Sequence, residues 1–141
     1  MPDLQSEFNQ CLYHSSSALH RWLGKMADEF FKAVELTPTQ GFILITLKQA
    51  PGITIGDLSL VHQLDHSTIT KTLDKMRLKG LVHREVIGRI VRVFATDHGK
   101  KKAADAKAAW RKLQLAYGAI IGGPKARAVA DSIAETLDKL R

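Results

Sequence analysis

The sequence has a single cysteine and no long apolar run, and both absences narrow the class of protein. Cys11 has no second cysteine to pair with, so stability must come from packing or from a partner chain. The longest mainly apolar run, residues 42–47, is far shorter than the roughly 20 residues that a membrane-spanning helix needs. Residues 1–25 also lack a basic-then-apolar signal layout. We therefore expect a cytoplasmic protein with no membrane partner.

The sequence is equally poor in patterns of catalysis and metal binding. The six histidines are scattered along the chain, and no Cys-x-x-Cys pair is present. No convergent set of nucleophile, base and metal ligands stands out. We therefore expect no catalytic residues, no metal site and no cofactor, and we predict that the protein is not an enzyme.

Positive charge is abundant, and its location says more than its total. The net charge is +7. Residues 62–92 carry seven bases against three acids and residues 97–112 carry six against two, whereas residues 1–35 carry three against five. The excess therefore lies in the middle of the chain, which favours a polyanionic partner there.

Hydrophobic periodicity predicts a mainly helical chain. Apolar residues recur at spacings of three and four from Leu4 to Phe30, which indicates one long helix over residues 4–33. The segment Thr37-Pro38-Thr39-Gln40 has the form of a capping box with proline at the first helical position. A second helix should therefore start there and end before Pro51-Gly52.

Two short helices are predicted next, separated by a brief interruption. Thr54 starts the first, whose inward face is predicted to be Ile55, Leu58 and Val61. Asp65 or Ser67 caps the second, and its predicted buried stripe is Ile69, Leu73 and Met76. This second helix has a small, polar and basic opposite face, so the pair fits a helix-turn-helix. That face presents Ser67, Thr68, Thr70, Lys71, Asp74 and Lys75.

The charges at the end of that helix have simpler expected roles. Asp74 should pair with Lys71, Lys75, Arg77 or Lys79 on its own helix rather than read a base. Arg77 and Lys79 are expected to be solvated charges, and Gly80 is expected to end the helix.

The rest of the chain predicts a small hairpin and two more helices. Residues 81–86 and 89–95 are rich in β-branched residues around Ile87-Gly88, which indicates two strands and their turn. Thr96 caps a helix that runs to Ile121, and Gly122-Gly123-Pro124 breaks it. The last helix has a heptad-like apolar stripe, Ala126, Val129, Ile133, Leu137 and Leu140.

With this order of elements, the sequence resembles the MarR family of winged helix-turn-helix transcription regulators. The most specific part is LTPTQGFILITLKQAPGITIGDLSLVHQLDHSTITKTLDKMRLKGLVHR, residues 36–84. The resemblance implies a single domain over residues 1–141, mainly α with a small β-hairpin. In it, residues 36–96 form the winged helix-turn-helix DNA-binding lobe, and residues 1–35 and 97–141 form a helical dimerisation region. It also implies a homodimer that binds a pseudo-palindromic operator in double-stranded DNA.

The resemblance and the residue chemistry together select DNA-binding candidates. Short hydroxyl side chains allow close approach to base edges, and lysine and arginine reach phosphates. By the resemblance, Arg89 falls on the wing arginine that enters the minor groove, but Ile87 stands where the family has a steadying aspartate, and the wing is about three residues shorter. The candidates are His66, Ser67, Thr68, Thr70, Lys71, Lys75, Arg84, Arg89 and Arg92.

The resemblance also implies a sensing function, with alternatives left open. The expected protein is a repressor released by a small aromatic or phenolic ligand, with His14, His20, Arg21 and Trp22 as candidate ligand-binding residues or ordinary surface residues. One alternative is a redox-responsive regulator that senses peroxide through Cys11, although its apolar neighbours predict a packed thiol. The other is a winged-helix protein-interaction module with weakened DNA binding.

Overall fold

A computed structural model of the chain describes residues 3–141, which form a mainly helical fold with one small antiparallel sheet. This confirms the predicted fold class. The elements in chain order are α1 Leu4–Asn9, α2 Leu12–Lys32, α3 Pro38–Gln49, β1 Ile53–Thr54, α4 Ile55–His62, α5 His66–Leu78, β2 Val82–Ile87, β3 Ile90–Ala95, α6 Asp97–Ile121 and α7 Gly123–Leu140.

The chain divides into two compact units. One contains residues 30–110, and the other contains the described residues up to 29 together with those from 111 onward. The first of these units includes the lobe expected over residues 36–96, together with the end of α2 and the first half of α6. We call it the winged unit, and the other the terminal unit.

The core of the winged unit is built from side chains that the helical period places on inward faces. Ile69, Leu73 and Met76 of α5 are fully buried, as predicted. Val61 of α4 is 55% exposed, however, so its predicted inward position is wrong; only Ile55 and Leu58 of that set are buried. Helix α4 ends at His62, the residue after Val61. Gln63 then adopts a left-handed conformation with φ 53°.

Capping groups start and end these helices where the sequence predicts. Thr37 and Gln40 form both hydrogen bonds of the capping box at α3, and Thr54 caps α4 by accepting from the Asp57 amide. Asp65, rather than Ser67, is the N-cap of α5. Gly80, at φ 72°, ends α5 by donating its amide to the Arg77 carbonyl while Leu81 donates to Met76. This is the Schellman arrangement, and it turns the chain into the wing.

The sheet has the strand order β1-β3-β2. The hairpin of β2 and β3 was expected, but the pairing of β1 with β3, with Ile53 opposite Val93, was not. Ile87 pairs with Ile90, so the turn consists of Gly88 and Arg89 and lies one residue later than predicted. Gly88 has φ 62° and Arg89 does not have a positive φ, a combination typical of a type II′ hairpin turn.

The terminal unit corrects the expected single N-terminal helix. α1 ends at Asn9, and α2 begins at Leu12. Between them the amides of Gln10 and Cys11 bond to the carbonyls three residues earlier, at Glu7 and Phe8. Such tightened bonds end a helix, and the apolar period continues across the break because both helices are amphipathic.

The C-terminal part of the terminal unit has a break where it was predicted. Gly122 has φ 94° and separates α6 from α7, which begins with Gly123 and Pro124. α7 has no buried residue. An apolar groove of about 360 Å³ lies in this unit, lined by Leu19, Leu23, Tyr117, Ile121, Ala126, Val129, Ala130 and Ile133.

Candidate nucleic-acid interface

Helix α5 has two chemically opposite faces. Its apolar stripe is fully buried in the winged unit, and its outward side carries His66, Ser67, Lys71, Asp74 and Lys75, all exposed. Thr68 and Thr70 are half-buried beside them. The predicted outward face is therefore confirmed. It joins hydroxyl, imidazole and ammonium groups on one rigid helix.

The start of α5 is fixed by Asp65. Its carboxylate accepts hydrogen bonds from the Thr68 amide at 2.7 Å and the Ser67 hydroxyl at 3.1 Å. The bonds from Thr68, and then that from Ser67, hold the pKa of Asp65 below its ordinary value. The carboxylate thus stays ionised as a cap, and it orients Ser67 at the first turn.

The hydroxyl groups of this face already donate their hydrogens within the protein. Thr70 Oγ1 donates to the His66 carbonyl at 2.9 Å, and Ser67 Oγ donates to Asp65. Each oxygen therefore presents lone pairs outward. In the major groove, acceptors of this kind match the amino groups of adenine and cytosine.

Lys71 and Lys75 supply the mobile positive charge of this face. Within the described part of the chain, neither ammonium group takes part in a hydrogen bond or ion pair. Long flexible lysine side chains in this state can reach phosphate groups of a nucleic acid.

Arg84 lies differently from the other candidates. Its guanidinium pairs with Asp74 and lies 3.5 Å from the Thr70 carbonyl, and only 21% of its side chain is exposed. The expectation that Asp74 pairs with a lysine or arginine of its own helix is therefore wrong. The wing strand β2 brings Arg84 closer to the carboxylate than any of those flexible side chains, and the pair fastens the wing to α5.

The remaining wing candidates have separate surroundings. Arg92 is exposed, yet its Nη1 donates to the Gly52 carbonyl at 2.9 Å, which fastens β3 to the turn before β1. Arg89 lies in the hairpin turn, exposed, and shares a cleft with His66. Val86, Ile87 and Ile90 beside it are also exposed, so the wing tip is more apolar than its predicted role suggested.

Lys79 was expected to be a solvated charge, and this is wrong. Its ammonium donates to the Glu35 carbonyl and to Gln40 Oε1, each at 3.1 Å. Glu35 itself has φ 62° and ends the turn after α2. Lys79 thus joins the end of α5 to Glu35 before α3 and to Gln40 in α3, contacts that span 44 and 39 residues and that no local pattern signals.

Two of the four ligand candidates lie together in the terminal unit. Arg21 and Trp22 line a cleft of about 220 Å³ with Ala18 and Lys25, and the Lys25 ammonium is 5.9 Å from the Trp22 ring centre. Lys25 was missed, although it lies one helical turn after Arg21. His14 instead stacks on Phe8 at 5.4 Å. His20 is exposed and does not line this cleft.

Cys11 also departs from its expected environment. It was predicted to be a packed thiol, but it is exposed at the break between α1 and α2. Its apolar neighbours Phe8 and Leu12 are themselves 51% and 70% exposed, so they do not bury the thiol as expected.

Histidines and acids do not assemble into a metal site within residues 3–141. His62 and His66 are four residues apart, a spacing that places two ligands on one face of a helix. The left-handed Gln63 puts them in different helices, α4 and α5. His62 Nε2 instead lies 2.9 Å from Thr46 Oγ1, and burial lowers the pKa of His62.

Among the described helices, none is long and apolar enough to span a membrane.

Together, the two short helices with a basic outer face and the attached hairpin define a winged helix-turn-helix. Residues 36–86 match the model of the MarR family. No curated protein matches the sequence.

Solved structures share this fold over most of the chain. The transcriptional repressor CouR, bound to p-coumaroyl-CoA, is 20% identical with a TM-score of 0.83, covering 93% of this chain and 94% of that one. The M. tuberculosis regulator MosR in complex with DNA is 25% identical with a TM-score of 0.78, covering 93% and 98%. A mutant of E. coli MarR complexed with operator DNA is 19% identical with a TM-score of 0.79, covering 92% and 97%. Residues 36–86 are thus similar to the MarR family, and the chain as a whole shares the fold of these solved structures.

Proposed function

We propose that this protein is a dimeric, sequence-specific DNA-binding regulator whose helix α5 enters the major groove. The observation that carries the proposal is the outward face of α5, which sets unpaired lysines and oriented hydroxyls opposite a fully buried stripe. A helix held this rigidly can present the same side chains to each binding site. The DNA complexes of MosR and MarR support the proposal by analogy of fold.

The residues of this face have separable tasks. Lys71 and Lys75 contact phosphates and set the register, while Ser67 and Thr70 accept hydrogen bonds from base amino groups. Thr68 and His66 complete the contact surface at the start of the helix. Arg84 and Arg92 act indirectly, because their guanidinium groups hold the wing in place.

DNase footprinting on the DNA upstream of the protein's own gene tests this proposal. We expect protection of a roughly palindromic site that Lys71→Ala weakens, with Lys139→Ala as an exposed control of equal charge change on α7. Affinity should also fall steeply with salt, because phosphate contacts release counterions. Binding that is blind to sequence, or insensitive to Lys71→Ala, contradicts the proposal.

The proposed dimer rests on the terminal unit. This unit exposes large apolar side chains beyond what a stable monomer commonly leaves open, and it contains the apolar groove of α2, α6 and α7. A second copy covers them in our proposal. Sedimentation should give a dimer, and Ile133→Asp in the groove should shift it toward monomer, whereas Asp131→Ala on the same helix should not. A monomeric wild type contradicts this assembly.

The proposed regulation is repression released by a small aromatic acid. Arg21, Lys25 and Trp22 bring two cations and an aromatic wall into one cleft, which suits a planar carboxylate. CouR bound to p-coumaroyl-CoA supports a ligand-responsive regulator of this fold. Quenching of tryptophan fluorescence by salicylate, lost in Trp22→Phe but kept in Trp110→Phe, and accompanied by DNA release, is the expected result. No release at saturating salicylate contradicts this ligand class.

Two alternatives have their own observations. The exposure of Cys11 favours peroxide sensing more than the sequence did. Peroxide sensing through Cys11 is excluded if peroxide leaves the DNA binding of wild type as intact as that of Cys11→Ser.

The second alternative is a protein-interaction module. The exposed apolar wing tip of Val86, Ile87 and Ile90 favours it. Absence of DNA binding in the footprint would support it.

A further inference from the structure

A cleft of about 260 Å³ lies in the winged unit, where the wing turn meets the start of the helix-turn-helix. Three separate parts of the chain line it: residues 54–56 at the start of α4, His66 at the start of α5, and residues 89–91 of the wing. Its volume is several times the roughly 30 Å³ that one water molecule occupies. The cleft is therefore large enough for a small polar group, and His66 of α5 is one of the residues that line it.

The side chains of Arg89 and His66 in this cleft are available to a ligand. Within residues 3–141, no hydrogen bond or ion pair engages the side chain of Arg89 or that of His66. Arg89 carries a fixed positive charge and five N–H donors, and the imidazole of His66 has a ring N–H donor. Two donors from two elements thus converge on one space, while the carboxylates of α5 are occupied elsewhere. Asp65 caps its own helix, and Asp74 pairs with Arg84.

Gly56 forms part of the wall of this cleft, although neither its backbone conformation nor its packing requires a glycine. A Cβ added there would meet only Thr54 Oγ1, at 3.8 Å, and Gly56 does not have a positive φ. Neither backbone conformation nor packing requires its missing side chain. The space that a Cβ would fill is open to a group that approaches from outside.

We propose that this cleft holds one phosphate of the DNA backbone, with Arg89 and His66 as its ligands and Gly56 as the bare wall against which it rests. The inference rests on the proposed DNA-binding function and goes beyond it by assigning the wing residue. The hairpin turn has only two residues, Gly88 and Arg89, so the wing keeps its arginine beside α4 and α5. Arg89 therefore binds the DNA backbone next to α5 instead of reading bases in the minor groove.

Affinity measurements on duplexes of two compositions test this assignment. An A·T-rich duplex and a G·C-rich duplex of equal length are titrated with wild type and Arg89→Ala across a salt series. A phosphate contact predicts that Arg89→Ala weakens both duplexes about equally, by roughly tenfold, and reduces the salt slope by about one for each subunit. Arg127→Ala, at an exposed arginine of the terminal unit outside the basic stretch of residues 97–112, is the control for charge alone. Loss confined to the A·T-rich duplex indicates minor-groove reading and overturns the assignment.

Gly56→Ala tests the same site without changing charge. Its methyl group should leave thermal stability at or above that of wild type, because alanine favours a helix, while it weakens both duplexes by obstructing the phosphate. Inorganic phosphate, compared with chloride at equal ionic strength, distinguishes the other source of the anion. Stabilisation of wild type by phosphate, with DNA affinity unchanged in Arg89→Ala, assigns the cleft to free phosphate and overturns the proposal. Wild type that binds neither duplex contradicts the proposed function, whereas wild-type binding unchanged in both variants contradicts the cleft alone.

Discussion

The guanidinium of Arg84 pairs with the carboxylate of Asp74, and this pair ties strand β2 of the wing to helix α5. Arg84 also lies 3.5 Å from the Thr70 carbonyl, so it approaches two successive turns of α5. Its position beside the helix is thereby fixed. In the proposed DNA complex, this pair lets the wing and α5 meet one site together.

This pairing predicts a coupled loss of stability when either partner is removed. In a double-mutant cycle with Asp74→Ala and Arg84→Ala, we expect a coupling of about 1 kcal/mol in the free energy of unfolding, because the pair is only partly buried and solvent screens it. Urea unfolding measures this quantity. Asp74→Ala removes an acid from the proposed DNA-binding face, so the DNA affinity of this variant should fall less than that of Lys71→Ala. Additive effects of the two substitutions on stability would falsify the pairing.

Close packing at Gly99 predicts a large effect from one methyl group. A Cβ there would overlap the carbonyl of Leu81, which is backbone and cannot rotate away. Gly99→Ala should therefore destabilise the winged unit by about 1–3 kcal/mol. Thermal unfolding compares it with Gly56→Ala, whose Cβ enters open space. Equal melting temperatures for the two variants contradict the close approach of α6 to Leu81.

Local signals explain which parts of the fold could be predicted from sequence. The caps at Thr37, Thr54 and Asp65 act over three residues, and the buried stripe of α5 follows one helical period. Both are readable from neighbouring residues. The resemblance of residues 36–84 to MarR-family sequences then predicted how the elements are arranged. The match of residues 36–86 to the family model agrees with this resemblance.

The features that were missed depend on contacts between distant residues. Lys79 meets Glu35 across 44 positions, and Arg84 meets Asp74 only because the Gly80 turn reverses the chain. Strand β1 has two residues, too few to show a period. The cleft of His66 and Arg89 likewise forms only when the short wing folds beside α5. Tertiary geometry decides each of these, and no local pattern encodes it.

Lys79 provides a third prediction, in which a surface lysine has a structural role. Lys79→Met keeps the aliphatic chain but removes both hydrogen bonds, to the Glu35 carbonyl and to Gln40 Oε1. We expect a loss of about 1 kcal/mol in the free energy of unfolding. Arg77→Met, two residues earlier and exposed, should change stability by less than about 0.5 kcal/mol. Equal effects of the two substitutions in urea unfolding contradict the anchoring role.

His62 predicts a pH dependence of the winged unit. Thr46 Oγ1 gives its hydrogen to the Phe42 carbonyl at 2.9 Å, so it accepts the one from His62 Nε2. Burial lowers the pKa of His62 below 6.5 in the folded chain, which means that the unfolded chain binds the proton more readily. The contribution to stability is therefore complete above pH 6.5 and is lost as the pH falls toward the folded pKa.

Thermal melts between neutral and mildly acidic pH measure this loss. We expect the melting temperature of wild type to fall on acidification and that of His62→Gln to fall less, because glutamine can donate to Thr46 but does not titrate. His98→Gln is the control, since His98 is exposed at the start of α6. An unchanged pH dependence in His62→Gln assigns the acid sensitivity to other groups. Because His62 ends α4, its protonation would loosen the helix that packs against α5.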